Sequence, residues 1–202
     1  MRTFLPKTLL IFFAMTSLSC EQCTNSDICK SIYLADMICS KLALAVPTVE
    51  TGAAFAITTI IKNVAESTNF CETESAGASN TQYNVKYRAD ENAPWDDAQF
   101  NNNGNLVFDV FVGTDPLDPD QTDEFEPMFK MDSVGYYRFE ANADGLLEVT
   151  ERDENNNGGN DQGNLNGLVS QPSNVVIVKV VASKGHRPTG EKPVVNFLGV
   201  RR

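Results

Sequence analysis

The sequence predicts an all-β domain, an antiparallel β-sandwich of about seven or eight short strands, and three observations carry that expectation. From residue 41 onward, runs rich in Val, Ile, Phe, Tyr and Thr alternate with a period of two and are cut by turn residues every ten or so positions. No convincing helical segment interrupts them, which favours two packed sheets over a mixed architecture. A chain of 202 residues with 42% hydrophobic residues can build one well-packed domain and not comfortably two. There is no internal repeat.

The elements follow in order. Residues 1–19 carry Arg2 and Lys7, then the apolar run Leu9-Leu10-Ile11-Phe12-Phe13-Ala14-Met15, then small residues up to Cys20, the pattern of an export signal. Seven apolar residues are too few to span a bilayer core of roughly 30 Å, and no later stretch approaches the ~20 that a membrane helix requires. The tetrapeptide "SLSC" at 17–20 resembles the lipobox of bacterial lipoproteins, although Ser17 stands where that motif prefers Leu. The same small residues also suit an ordinary signal peptidase. There are five cysteines, an odd number for an exported chain; lipidation of Cys20 would remove the odd one. That leaves Cys23, Cys29, Cys39 and Cys71 as disulfide candidates with three possible pairings. Residues 20–40 then read as a lipid-anchored, Cys-rich neck, with Ser26 or Asp27 capping a short helix that runs to about Cys39.

The domain proper is expected over 41–182. "KLALAV" leads through "PTVETG" into "AAFAITTIIKNV", where Phe55, Ile57, Thr59 and Ile61 share one face. "TQYNVKYRA" presents Tyr83, Val85 and Tyr87 on one side, and "NLVFDVFVG" presents Leu106, Phe108, Val110 and Val112. "MFKMDSV" precedes "GYYRFEANAD", which turns Tyr137, Phe139, Ala141 and Ala143 inward; "LLEV" and "NVVIVKVVA" complete the set. The connections 65–80, 89–104, 113–126 and 151–173 are long and polar and belong on the surface. Residues 183–202 form a basic tail ending in apolar "VVNFLGV", either a final edge strand or a docking segment.

Two stretches resemble the bacterial cell-adhesion-related domain, CARDB. "VETGAAFAITTIIKN" is similar to its first long strand, with Gly52 at the mouth and Asn63 at the end. "GYYRFEANADGLLEVTERDENNN" resembles its closing hairpin on Asp144, Val149, Glu151, Glu154, Asn155 and Asn156, and is the more specific match. The resemblance spans about 41–182 and departs in the inserts 65–80 and 113–126, the neck and the tail. It implies an immunoglobulin-like sandwich serving as a stalk, adhesion or docking module, with no active site belonging to the family.

Charge and motifs narrow the chemistry. Removing residues 1–19 takes two of the 16 Lys+Arg and none of the 27 Asp+Glu, leaving a net charge of -13. Nucleic acid and anionic membrane are therefore poor partners, and membrane contact is expected only through the N-terminal lipid. The run at 149–164 reads as a turn, with asparagine and glycine tolerating left-handed backbone. Asp153, Asn155 and Asn157 do open a calcium-loop pattern, and with Asp161 they are the candidate metal ligands, but Asn164 replaces the bidentate Glu of the twelfth position. A second oxygen-rich loop holds Asp115, Asp118, Asp120, Asp123 and Glu124. No cofactor is expected beyond a possible Ca2+. The single histidine, His186, lies in the tail without a nucleophile motif nearby, so an enzyme is not expected. "TGEKP" at 189–193 copies a zinc-finger linker without any zinc ligands around it. The only tryptophan, Trp95, is either a core plug or, beside Asp96 and Asp97, a ring that stacks on a sugar.

The resulting expectation is a non-enzymatic lipoprotein of the bacterial cell envelope, at the outer membrane because Glu21 is not the Asp of inner-membrane retention. It presents an adhesion or docking module to a protein or glycan partner. The alternative is a secreted carbohydrate- or calcium-binding accessory protein.

Overall fold

The computed structural model describes residues 35–65, 75–147, 149, 174–185 and 193–202. Among them are twelve strands and no helix: β1 Met37–Leu44, β2 Thr48–Glu50, β3 Ala54–Asn63, β4 Ser79–Arg88, β5 Asp96–Asp97, β6 Gln99–Asn102, β7 Asn105–Val107, β8 Asp109–Thr114, β9 Thr122–Met131, β10 Gly135–Asn142, β11 Val175–Val181 and β12 Val194–Arg201. The first sheet runs β1-β3-β9-β12-β6-β7; the second runs β2-β11-β10-β4-β5, with β8 also paired to β4.

Strict alternation puts the sandwich together. Along β3, Phe55, Ile57, Thr59, Ile61 and Asn63 are buried while their neighbours are exposed or half-exposed. β10 does the same with Tyr137, Phe139 and Ala141. Opposed across the sheets, the inward rings meet as an aromatic seam. Phe129 of β9 lies 4.9 Å from Phe139 of β10 and 5.8 Å from Phe100 of β6, and Phe55 of β3 lies 6.0 Å from both Phe129 and Phe139. Each such ring contributes roughly 1.5–3 kcal/mol by leaving water. A polar bond also crosses the core: the Tyr83 hydroxyl on β4 donates to Thr59 Oγ1 on β3 at 2.7 Å.

Of the residues that carry the CARDB resemblance, Glu151, Glu154, Asn155 and Asn156 lie outside the described residues, and three others have clear structural work. Gly52 takes φ +78° as the chain turns into β3, where its N–H meets the Met131 carbonyl at 2.8 Å. Asn63 is fully buried; its Oδ1 accepts from the Asp36 and Ala65 amides, and its Nδ2 donates to the Leu117 carbonyl, all at 3.1 Å. Asp144 is likewise buried, and its carboxylate accepts the Val149 amide at 2.8 Å. It thereby closes the turn that follows β10.

Several expectations need correction. The sheets are mixed, since β2 runs parallel to β11 and β6 parallel to β12. The strand count exceeds seven or eight because β2, β5, β6 and β7 are only two to four residues long and partly polar. The domain also starts before residue 41. Met37 and Cys39 are fully buried and pair with Asn63 and Ile61, so 37–40 belong to a strand and not to the end of a neck helix. "NLVFDVFVG" is two strands in different sheets. β7 pairs with β6 and β8 with β4, so Leu106 and Phe108, 57% and 59% exposed, do not share the buried face of Val110 and Val112. Leu146 and Leu147 sit in an exposed turn, not in a strand. The tail is no edge: β12 lies between β9 and β6, with Val195 fully buried.

Candidate functional site

The outward face of the second sheet gathers a row of aromatic and basic side chains. β10 pairs with β4 on one side and β11 on the other, in a register that sets Tyr136 directly opposite both Arg88 and Lys179. Cross-strand neighbours of this kind lie close enough for long side chains to stack. The Arg88 guanidinium lies 5.2 Å from the Tyr136 ring centre, and the Lys179 ammonium 5.3 Å from it. Because β4 and β11 flank β10, the two cations approach that ring from opposite sides. Trp95, immediately before β5, continues the row, with Arg88 4.5 Å from its ring centre. The result is a ladder of alternating rings and cations, Trp95, Arg88, Tyr136 and Lys179, in which each pair is electrostatically favourable.

Local bonds hold the ladder in place. The Tyr136 hydroxyl donates to Glu91 Oε1 at 2.6 Å, and Arg88 Nη1 donates to the Glu91 carbonyl at 2.8 Å. Asp90 caps the same turn by accepting the Asn92 and Ala93 amides at 2.9 and 3.0 Å. Gly135 lets β10 begin hard against β4, for a Cβ there would come within 2.4 Å of the Tyr87 ring. The hydrogen bond to Tyr136 and its charge interaction raise the Lys179 pKa above the usual lysine value. Arg88 Nε, roofed by the rings, is buried without a hydrogen-bond partner among the described residues. Beside the ladder opens a cleft of 690 Å³ lined by residues that include Glu91, Asn92, Tyr136 and Lys179.

A second cleft, of 470 Å³, opens at the edge of the same sheet and is lined by Tyr87, Asp96, Asp97, Ala98, Gln99, Phe108 and Pro193. Two chain crossings build it. At Ala98 the backbone passes from β5 in the second sheet to β6 in the first, and at Phe108 it passes back from β7 to β8. A smaller recess of 370 Å³ shares Asp97, Ala98 and Phe108 and adds Lys86, Asp109 and Glu140.

The expected site residues fare differently. Trp95 is half-buried and outside the core, so it is not a core plug; Arg88 covers one of its faces. Asp96 is exposed, and Asp97 faces Lys86 at 3.7 Å. All three stand together at the sheet edge. Cys39 is buried, its thiol donating to the Lys41 carbonyl at 3.8 Å and pushed up to about 12 by burial. Cys20, Cys23, Cys29 and Cys71, the metal candidates Asp153, Asn155, Asn157 and Asp161, and His186 lie outside the described residues.

In the second acidic loop the chain supplies its own cations. Arg202 Nη1 lies 2.7 Å from Asp115 and 3.2 Å from Asp123, and Lys62 lies 3.0 Å from Asp120. A metal ion binding there would have to displace them. Among the described residues no group of three or more His, Cys, Asp and Glu converges as a metal-binding set.

Phe108 was read as an inward strand residue, and Arg88, Tyr136 and Lys179 were not singled out from the sequence. Their signal was the polar phase of each strand: Tyr136 alternates with inward Tyr137, and Lys179 is the one charge in "VVIVKVV".

No family model matches the chain, and no curated protein matches it. Solved structures do. The CARDB domain of a Pyrococcus furiosus protein, crystallised in complex with di-metal ions, is similar over 75% of this chain and 97% of that one, with a TM-score of 0.46 and 16% identity. The solution structure of the same domain is similar over 73% of this chain and 96% of that one, with a TM-score of 0.41 and 17% identity. A β-glucosidase from Listeria innocua, in complex with gluconolactone, is similar over 72% of this chain and only 16% of its own length, with a TM-score of 0.35 and 10% identity. The described residues form a β-sandwich of two mixed sheets. It is similar to solved CARDB domains.

Proposed function

We propose that this chain is a non-enzymatic docking module of the bacterial cell envelope, exported by residues 1–19 and held there by lipid on Cys20. The observation that carries the docking role is the ladder of Trp95, Arg88, Tyr136 and Lys179. It is set by strand register on an open sheet face, and such rigid aromatic and arginine side chains lose little entropy when a partner covers them. The anchoring role rests on the signal pattern and on "SLSC" at 17–20.

The intact mass of native chain from detergent-extracted membranes tests the anchor: a lipid-modified N-terminus at Cys20 is expected, and an unmodified chain confined to the medium would refute it. Adhesion of cells bearing the wild-type chain, compared with cells bearing Tyr136→Ala, tests the face. Equal adhesion at equal surface amounts would remove the ladder from the docking role. The secreted carbohydrate-binding reading has one observation in its favour, the edge cleft beside Trp95.

A further inference from the structure

We infer that the edge cleft between Asp96 and Phe108 is a binding site for an uncharged saccharide, with Phe108 as the stacking ring and Asp96 and Gln99 as the groups that take its hydroxyls. This deepens the carbohydrate-binding reading of the edge cleft by naming its contact residues and the ligand's charge class, and it does not rest on the lipid anchor. The first ground is the choice between clefts. In the larger one the polar groups are largely spent: Asp90 caps its own turn, Glu91 accepts the Tyr136 hydroxyl, and the Tyr136 ring has cations on both sides. In the edge cleft the Asp96 carboxylate and the Gln99 carboxamide make no side-chain hydrogen bond or ion pair among the described residues. Polar groups left uncommitted in a concave, partly apolar setting are what fixes the orientation of a small ligand.

The second ground is Phe108. A phenylalanine at a sheet-to-sheet crossing would ordinarily be drawn inward, yet it is 59% exposed while Val110 and Val112 just beyond it are buried. With Tyr87, Ala98 and Pro193 it gives the cleft an apolar wall suited to the C–H face of a pyranose ring. The volume, 470 Å³, lies within the roughly 300–1,000 Å³ of small-ligand sites.

The third ground is charge. An anionic ligand would meet Asp96, Asp97 and Asp109 on a chain of net charge -11. A basic peptide would find Asp97 already facing Lys86. A neutral, hydroxyl-rich ligand meets neither obstacle, because the Asp96 carboxylate accepts from hydroxyls and the Gln99 carboxamide both accepts from and donates to them without needing a countercharge.

Trp95 is the only tryptophan and adjoins Asp96, so it is a built-in reporter of the cleft. Its fluorescence in the full mature chain would be followed during titration with hexamers of β-1,4-glucose, β-1,4-N-acetylglucosamine and α-mannose, and with hexagalacturonate and hexalysine as charged arms. The expected result is a saturable change with at least one neutral hexamer and none with the charged arms. By calorimetry Phe108→Ala should weaken that hexamer more than tenfold and Asp96→Asn at least threefold, with melting temperatures unchanged within two or so degrees. Silence from all three neutral hexamers, binding of a charged arm, or wild-type affinity in both variants would overturn the inference. Because Asp96 is exposed, its variant keeps the test open even if Phe108→Ala were to unfold. An unlipidated chain in the medium would end the envelope reading and leave this site untouched, whereas a lipidated chain blind to every neutral hexamer would end this inference alone.

Discussion

Two aromatic clusters lie on opposite faces of the second sheet, and they do opposite things with similar residues. On the inner face Phe139 and Tyr83 meet Phe129 from the first sheet, ring against ring, with water excluded. On the outer face Tyr136 and Trp95 are interleaved with Arg88 and Lys179 and stay in reach of solvent. The same strand, β10, supplies both through successive residues, Tyr137 inward and Tyr136 outward. Strand pairing fixes geometry equally on both faces; what differs is the neighbour. Rings that meet rings bind the sheets together, and rings that meet cations remain a polar, ordered surface.

The sharpest way to break this contrast is Phe129→Ala. It opens a cavity at the centre of the inner cluster and should cost about 3–5 kcal/mol by chemical denaturation, whereas Tyr136→Ala on the outside should cost far less. Next comes pH. The pKa of Cys39 is raised by burial to about 12, and those of Tyr83 and Tyr137 are raised, first by burial. A raised acid holds its proton longer folded than unfolded. Its stabilisation is therefore complete below the ordinary pKa, near 9 for the thiol, and is lost as pH climbs toward the folded value. Unfolding free energies from urea titrations under reducing conditions should fall between pH 8.5 and 11, by about 2 kcal/mol from the thiol alone. A flat profile would mean that the thiol is not shielded.

Tyr83→Phe should cost about 1–2 kcal/mol, because it leaves Thr59 Oγ1 buried without its 2.7 Å donor. Arg88→Ala tests the outer cluster: a loss of only about 0.5–1 kcal/mol is expected, together with a shift of the single tryptophan's emission as its covered face meets water. Phe108→Ala should sit at the small end, within about 0.5 kcal/mol of wild type, since its ring is largely in water already.

How much of this was legible is clearest strand by strand. β3, β4 and β10 were read with the right inward residues because eight to ten positions of alternation leave one phase only, and β11 was read as a strand without a face. β5 and β6 were lost inside a polar connection and β7 was merged with β8, although Asn103-Gly104, with φ 52° and 88°, is the turn signal of the β6–β7 hairpin. Trp95, Asp96 and Asp97 were found as a local triplet in the sequence. Tyr136 with its cross-strand partners Arg88 and Lys179 was not, because those neighbours are separated by dozens of residues and no local pattern links them; Phe108 was assigned to the buried face because the change of sheet before β8 is invisible in the alternation.

The sequence by itself determined the all-β class, the phase of the long strands and the local density of acid, because each depends on residues within one segment and on whether they prefer water. It also placed the glycine, asparagine and aspartate at Gly52, Asn63 and Asp144, where backbone geometry or a buried polar group demands that residue type. Only the tertiary structure decided that β12 is interior, that the chain changes sheets at Ala98 and Phe108, and that Arg202 occupies the acidic loop. Each of those outcomes rests on which distant segments pair. Pairing is settled by burying the two sheets against each other, a balance struck over the whole molecule and written in no single stretch of chain.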